Sequence, residues 1–258
     1  MWSGSAVAVL AIPLVLLASG SCDDSSAKDI VIRTIPINLD QLKHLQDLWL
    51  QDVDIENFLR RASSQFYYVD LIDFGDSFEG RDLWVLRINK PNSNGAAKKV
   101  VWLDAISSSS NPCKETYHGS RAFSEPETAA ASQYISRLSP KPTMYLSLHS
   151  YSQLILLSYG MHWKPADYNE LIYIAKLAEA EIERVGGGKW DSVSVFEKFG
   201  YISGGAHDWA KAKAGIKYSY TFELRDRGNY GFLLPPGQII PAAKETWAGI
   251  LAMMKFLS

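Results

Sequence analysis

Cysteine and histidine are both scarce in this chain. Cys22 and Cys113 are the only cysteines among 258 residues, and there are five histidines. That is a thin supply for metal chemistry. The cysteines are each other's only candidate partner, and nothing in the sequence brings them together. Excess charge of one sign is also missing, with 26 basic and 28 acidic side chains. A formal net charge of -2 gives no reason to expect a nucleic-acid or anionic-membrane partner. The N-terminal apolar run, Ala6 to Ala18, has 13 residues interrupted only by Pro13. A bilayer needs about 20 such residues, so no stable membrane insertion is expected.

What is present is ordinary globular composition, 47% hydrophobic and 21% charged, which excludes a disordered chain, a collagen and a coiled coil. The length suffices for one large or two modest domains. The short apolar run is followed by Ala18 and Gly20, at the -3 and -1 positions of a cut before Ser21. Residues 1–20 therefore read as a secretory signal peptide and the protein as secreted; an uncleaved anchor is the alternative, since the segment lacks Lys and Arg. An oxidising route makes cysteine pairing possible.

Val31 to Leu50 carries leucines at helix-compatible spacing (Leu39, Leu42, Leu45, Leu48), and Asp54 is expected to cap a short helix through Arg61. Tyr67 to Phe74 and Asp82 to Ile88 read as a β-hairpin across the polar turn Gly75 to Gly80. Residues 89–99 form a loop. Val100 to Asp104, Met144 to Leu148 and Tyr218 to Leu224 are short continuous apolar runs, the kind buried on both faces of a sheet. Ser124 with Glu127 predicts a capping box for a helix to about Leu138. Asp167 and Glu170 are expected to cap a long helix with Leu171, Ile174, Ala175, Ala178, Ile182 and Val185 on one face, ended by Gly186 to Gly188. Pro241 is expected to open a last helix ending near Leu257. Strands alternating with helices predict an α/β fold, a mixed, mainly parallel sheet flanked by helices.

Three pieces carry chemistry. His149 stands just past a buried strand, where α/β sheets place ligands and catalytic groups, although a lone histidine is more often a structural residue. Glu223 lies in an apolar strand, where burial would raise its pKa and suit it to base catalysis; an ion pair with Arg225 or a lysine is the competing assignment. Ser203 to Trp209 is a glycine-containing loop leading into a helix-like segment, or else a plain turn. Gly186 to Lys189 lacks the spacing and the Ser/Thr of a phosphate loop.

Together the runs Tyr218 to Asp226 with Gly228 and Tyr230 to Pro235, Asn111-Pro112-Cys113, Ala122 to Glu127 and Leu148-His149-Ser150-Tyr151 resemble the zinc carboxypeptidase family, in its carboxypeptidase A/B branch. The similarity runs from about Asp54 to the C-terminus, so residues 54–258 are expected to form one carboxypeptidase-like domain and residues 21–53 a shortened propeptide. The resemblance implies zinc as cofactor, peptide or protein C-termini as partners, and a monomer. It makes His149 a zinc ligand and Glu223 the general base. Ser150, Tyr151 and Phe232 would line the peptide's approach. Gly200 falls at the place of the family's mobile tyrosine, with Tyr201 beside it as a candidate replacement. His207 falls at the pocket floor, where it is neither the apolar residue of A-type enzymes nor the aspartate of B-type enzymes.

One block of the family pattern is missing. The family binds zinc through a His-x-x-Glu pair after the strand that matches Val100 to Asp104, and none of His44, His118, His149, His162 or His207 begins such a pair. At the junction of Ala105 and Ile106 several dozen family residues are absent. With them go the carbonyl-polarising arginine, the Asn-Arg pair that holds the substrate carboxylate, and the usual disulfide partner of Cys113. The resemblance therefore implies a truncated carboxypeptidase-like fold with doubtful zinc binding and impaired peptide hydrolysis. A non-catalytic peptide-binding protein and an unstable shortened form are the alternatives.

Overall fold

The computed structural model describes residues 52–88, 101–104 and 121–257. The expected signal peptide, nearly all of the propeptide segment, Cys22, Cys113, the loop at 89–99 and the serine run at 106–110 lie outside the described residues, as does the burial expected for Val100 to Asp104. Among the described residues no helix is long and apolar enough to cross a membrane.

The chain opens with α1 (Asp52–Gln65), then β1 (Val69–Asp76) and β2 (Asp82–Ile88), which pair antiparallel as a hairpin. Asp54 lies inside α1 rather than capping it, and the helix runs four residues beyond Arg61. β3 (Val101–Asp104), α2 (Pro126–Arg137), β4 (Met144–Ser150) and β5 (Leu154–Leu157) follow. Next come α3 (Tyr168–Arg184), β6 (Asp191–Ser194), α4 (Val195–Phe199), α5 (Ala206–Ala212), β7 (Tyr218–Leu224) and α6 (Ile239–Leu257).

Five strands form one sheet in the order β3-β4-β7-β5-β6, parallel except where β5 meets β7 antiparallel. This is the expected mixed, mainly parallel sheet. Side chains alternate between its faces. Met144, Leu146 and Leu148 of β4, with Tyr220 and Phe222 of β7, pack against Leu171, Ile174, Ala178 and Ile182 of α3 and Ile250 and Met253 of α6. Tyr145, on the opposite face, packs with Ile135 of α2 and Ala210 of α5. The apolar stripe read on α3 is the one buried, except that Val185 is the C-cap and exposed.

Asp167 stands at the N-cap of α3 as expected, but neither there nor at α2, whose N-cap is Glu125, does a side chain make the capping hydrogen bond. Glu127 accepts from the backbone N–H of Phe78, 49 residues away. The Ser124 hydroxyl donates to Glu125. Asp167 and Glu170 accept instead from Lys211 and Lys217. A full capping box forms at Ser194 and Glu197, opening α4. Pro241 is the third residue of α6, in the first turn, where its missing N–H leaves no intrahelical bond unmade.

Candidate functional site

The pairing of β4 with β7 sets His149 directly beside Glu223 and Ser147 beside Thr221. All four belong to the face carrying Tyr145, so the carboxyl-terminal ends of two adjacent parallel strands hold a polar strip in an otherwise apolar sheet. His149 Nδ1 lies 3.9 Å from Glu223 Oε1. Burial, with a smaller contribution from His207, lowers the His149 pKa to about 4. Burial alone raises that of Glu223 to about 7. Between those values both groups are neutral, so the contact is not an ion pair. Arg225 is not the partner of Glu223, because it directs Nε to Glu245 Oε1 at 2.8 Å. Glu223 thus meets the requirement for a general base tuned near neutral pH.

On its other side, His149 Nε2 is hydrogen-bonded to Ser147 Oγ at 2.9 Å. Serine, histidine and glutamate therefore stand in the order of a hydrolytic triad. Ser147 is fully buried, so no substrate carbonyl reaches its oxygen and the arrangement is not nucleophilic.

One layer further down the sheet, His207 of α5 is buried, with Nδ1 hydrogen-bonded to Thr221 Oγ1 at 3.0 Å. Burial depresses its pKa against the opposing charge of Asp208. Its Nε2 is 3.2 Å from Asp208 Oδ1, but out of hydrogen-bond alignment. Asp208 Oδ2 instead accepts from Gly160 N at 2.8 Å. A Cβ at Gly160 would come within 2.3 Å of the Ile202 carbonyl oxygen, so only glycine permits this approach.

The remaining candidates separate into two other groups. Tyr151 meets Phe232 edge-on, with ring centroids 5.1 Å apart, and Phe232 is 76% exposed. Asp226, accepting from Gly228 N and Tyr230 N, shapes the loop beneath the Tyr151 ring. Ser150 belongs to the face opposite His149, where it lines a cavity of about 230 Å³ with Leu148, Leu224, Phe232, Ala243 and Trp247. Tyr201 is exposed, hydrogen-bonded to His162 Nδ1 at 2.6 Å and set edge-on against Phe196. Sequence reasoning missed Ser147, Thr221 and Asp208; the two-residue spacings Ser147/His149 and Thr221/Glu223 were the available signal.

Catalytic zinc needs three protein ligands and an open position. His149 and Glu223 supply at most two donors. Among the described residues no three His, Cys, Asp or Glu side chains gather where they could hold a metal ion. The donor set described here does not fit zinc.

A family model described as zinc carboxypeptidase matches residues 55–107 and 105–249, two pieces that meet at the expected break. Carboxypeptidase A1 of Homo sapiens is 44% identical over 148 residues, 57% of this chain and 35% of the relative. Carboxypeptidase B of Astacus astacus is 38% identical over 155 residues, 60% of this chain and 51% of the relative. The chain thus spans about a third to a half of the length of these relatives. Among solved structures, bovine thrombin-activatable fibrinolysis inhibitor in complex with tick carboxypeptidase inhibitor superposes with a TM-score of 0.74 at 22% identity, over 83% of this chain and 98% of that one. Carboxypeptidase A from Helicoverpa armigera gives 0.72 at 23% identity, over 95% and 79%.

Proposed function

The chain belongs to the zinc carboxypeptidase family, and from that premise we propose a secreted protein of the A/B type, impaired in releasing C-terminal residues from peptides. One observation carries this reading. Glu223, the candidate base, and His149 face one another at the strand ends, while the chain contains no His-x-x-Glu pair. A base tuned to about 7 can take a proton from water, but the groups that would polarise the scissile carbonyl are missing. Loss of such donors costs about 100- to 1,000-fold in rate.

The purified chain tests this with a blocked dipeptide substrate and elemental analysis. The expected result is less than stoichiometric zinc and release at least about 100-fold slower than by an intact relative. One zinc per chain, with turnover that Glu223→Gln abolishes, would overturn it.

A second reading, capture of peptide C-termini without cleavage, draws support from the exposed Phe232 ring against Tyr151. Saturable binding of an apolar peptide, weakened by Phe232→Ala and without release of product, would favour it.

A further inference from the structure

We propose that the cavity of about 230 Å³ between α6 and the ends of β4 and β7 is a binding site for a small neutral aromatic molecule of indole size. It lies on the face of the sheet opposite His149 and Glu223, and it goes beyond the peptide reading.

Small side chains at a packed junction create the hollow. Ala242 and Ala243 of α6 line it together with Leu148 of β4, and all three are buried. Ile250, with no exposed surface, lies at its inner end. Ser150 and Phe232, both exposed, mark where it opens to solvent.

Volume and walls restrict the ligand. An apolar cavity of about 150 Å³ takes benzene, and drug-sized ligands occupy about 300 Å³ or more. At about 230 Å³ this cavity lies between them and suits a fused two-ring molecule. Two of its walls are the rings of Phe232 and Trp247, and Phe232 is set against Tyr151 with ring centroids 5.1 Å apart. An aromatic ligand gains offset or edge-to-face contacts with such walls, beyond the area it buries.

The polar groups make the ligand neutral. Arg225 is the one charged residue in the lining, and its guanidinium is engaged by Glu245 and Gln238. Thr246 Oγ1 donates to the Ala242 carbonyl at 2.8 Å. Water in the cavity therefore finds few partners, and an apolar group that displaces it is favoured. A carboxylate would lose its hydration to meet an arginine that Glu245 already balances. The Ser150 hydroxyl at the mouth can accept one N–H from the ligand.

Isothermal titration calorimetry of the purified full chain with indole tests the site. Saturable binding of one indole per chain is expected, with indole-3-carboxylate at least about tenfold weaker. Ala243→Leu, which fills the hollow with a side chain, should weaken indole binding at least about tenfold while keeping a cooperative thermal transition. Absence of saturable binding, or undiminished binding by folded Ala243→Leu, overturns the site. Carboxylate binding as tight as that of indole overturns the neutral class. Should Ala243→Leu not fold, Phe232→Ala at the exposed mouth decides: weaker indole binding supports the proposal and unchanged affinity overturns it. The titration needs neither peptide nor zinc, so its outcome stands apart from that of the proposed function.

Discussion

His149 and Glu223 are register partners on β4 and β7, and their side chains hold each other at 3.9 Å with opposite titration behaviour. The imidazole is lowered to about 4 and the carboxyl raised to about 7, both chiefly by burial. Each would be ionised on the far side of the other's range, so this pair is never charged together.

The first prediction follows from linkage. The folded state binds more protons at Glu223 than the unfolded state between about pH 4.5 and 7, so that group makes stability fall as pH rises through the window. At His149 the unfolded state binds more protons between about pH 4 and 6.5, so that group makes stability rise. Each limb is worth about 3 kcal/mol at most. The two oppose one another across their overlap. Glu223→Gln should expose the rising limb alone and His149→Gln the falling limb alone, in urea titrations from pH 4 to 8. Parallel profiles for both variants and the wild type would contradict the burial of this pair.

The strand ends were legible in the sequence because a continuous apolar run interrupted by a histidine or a glutamate leaves few other interpretations. Missed elements had physical reasons. β5 (Leu154–Leu157) follows β4 after only three residues and shows no alternation, so the sequence between His149 and Leu157 reads as one irregular stretch. β6 (Asp191–Ser194) is a short polar edge strand. The capping bonds were misread because local spacing does not reveal that Lys211 and Lys217 compete for Asp167 and Glu170. Ser147 carried only its two-residue spacing from His149 as a signal, since serine within an apolar strand is ordinary until its neighbour's ring nitrogen is located.

A second prediction concerns that serine. The triad-like order of Ser147, His149 and Glu223 invites a serine-hydrolase assignment, and the burial of Ser147 forbids it. A fluorophosphonate probe should leave the folded chain unlabelled at Ser147. Modification of Ser147 located by peptide mass spectrometry would show that the hydroxyl reaches the cleft.

Gly231 supports a third. Its φ is +58°, and a Cβ there would meet Tyr151 Cε1 at 3.4 Å. Gly231→Ala places a side chain in the left-handed region at a cost of about 1–2 kcal/mol and presses on the ring that Phe232 touches. Thermal denaturation should show that loss. If peptide capture is real, affinity should fall along with it, whereas an unchanged transition temperature would mean that the loop adopts another conformation.

Arg225 and Glu245 give the last prediction and separate a structural ion pair from a substrate-binding arginine. Glu245 is almost wholly buried and accepts from Arg225 Nε at 2.8 Å, and Nη1 reaches Gln238 Oε1 at 3.4 Å. The guanidinium also borders the cavity of about 230 Å³ beside Ser150, so a role in anchoring a carboxylate would be a natural guess. The partners argue otherwise, because a carboxylate of the chain itself already occupies the guanidinium. Glu245→Gln leaves Arg225 charged and largely desolvated, which should cost about 3–5 kcal/mol of stability. Removing both charges with the apolar pair Arg225→Met and Glu245→Leu should return stability to within about 1 kcal/mol of the wild type, since well-packed apolar replacements of buried ion pairs are often neutral. Urea unfolding of the three proteins measures the cycle. A loss below about 1 kcal/mol in Glu245→Gln would mean that Arg225 finds another anion or water, and would reopen it as a ligand-binding group.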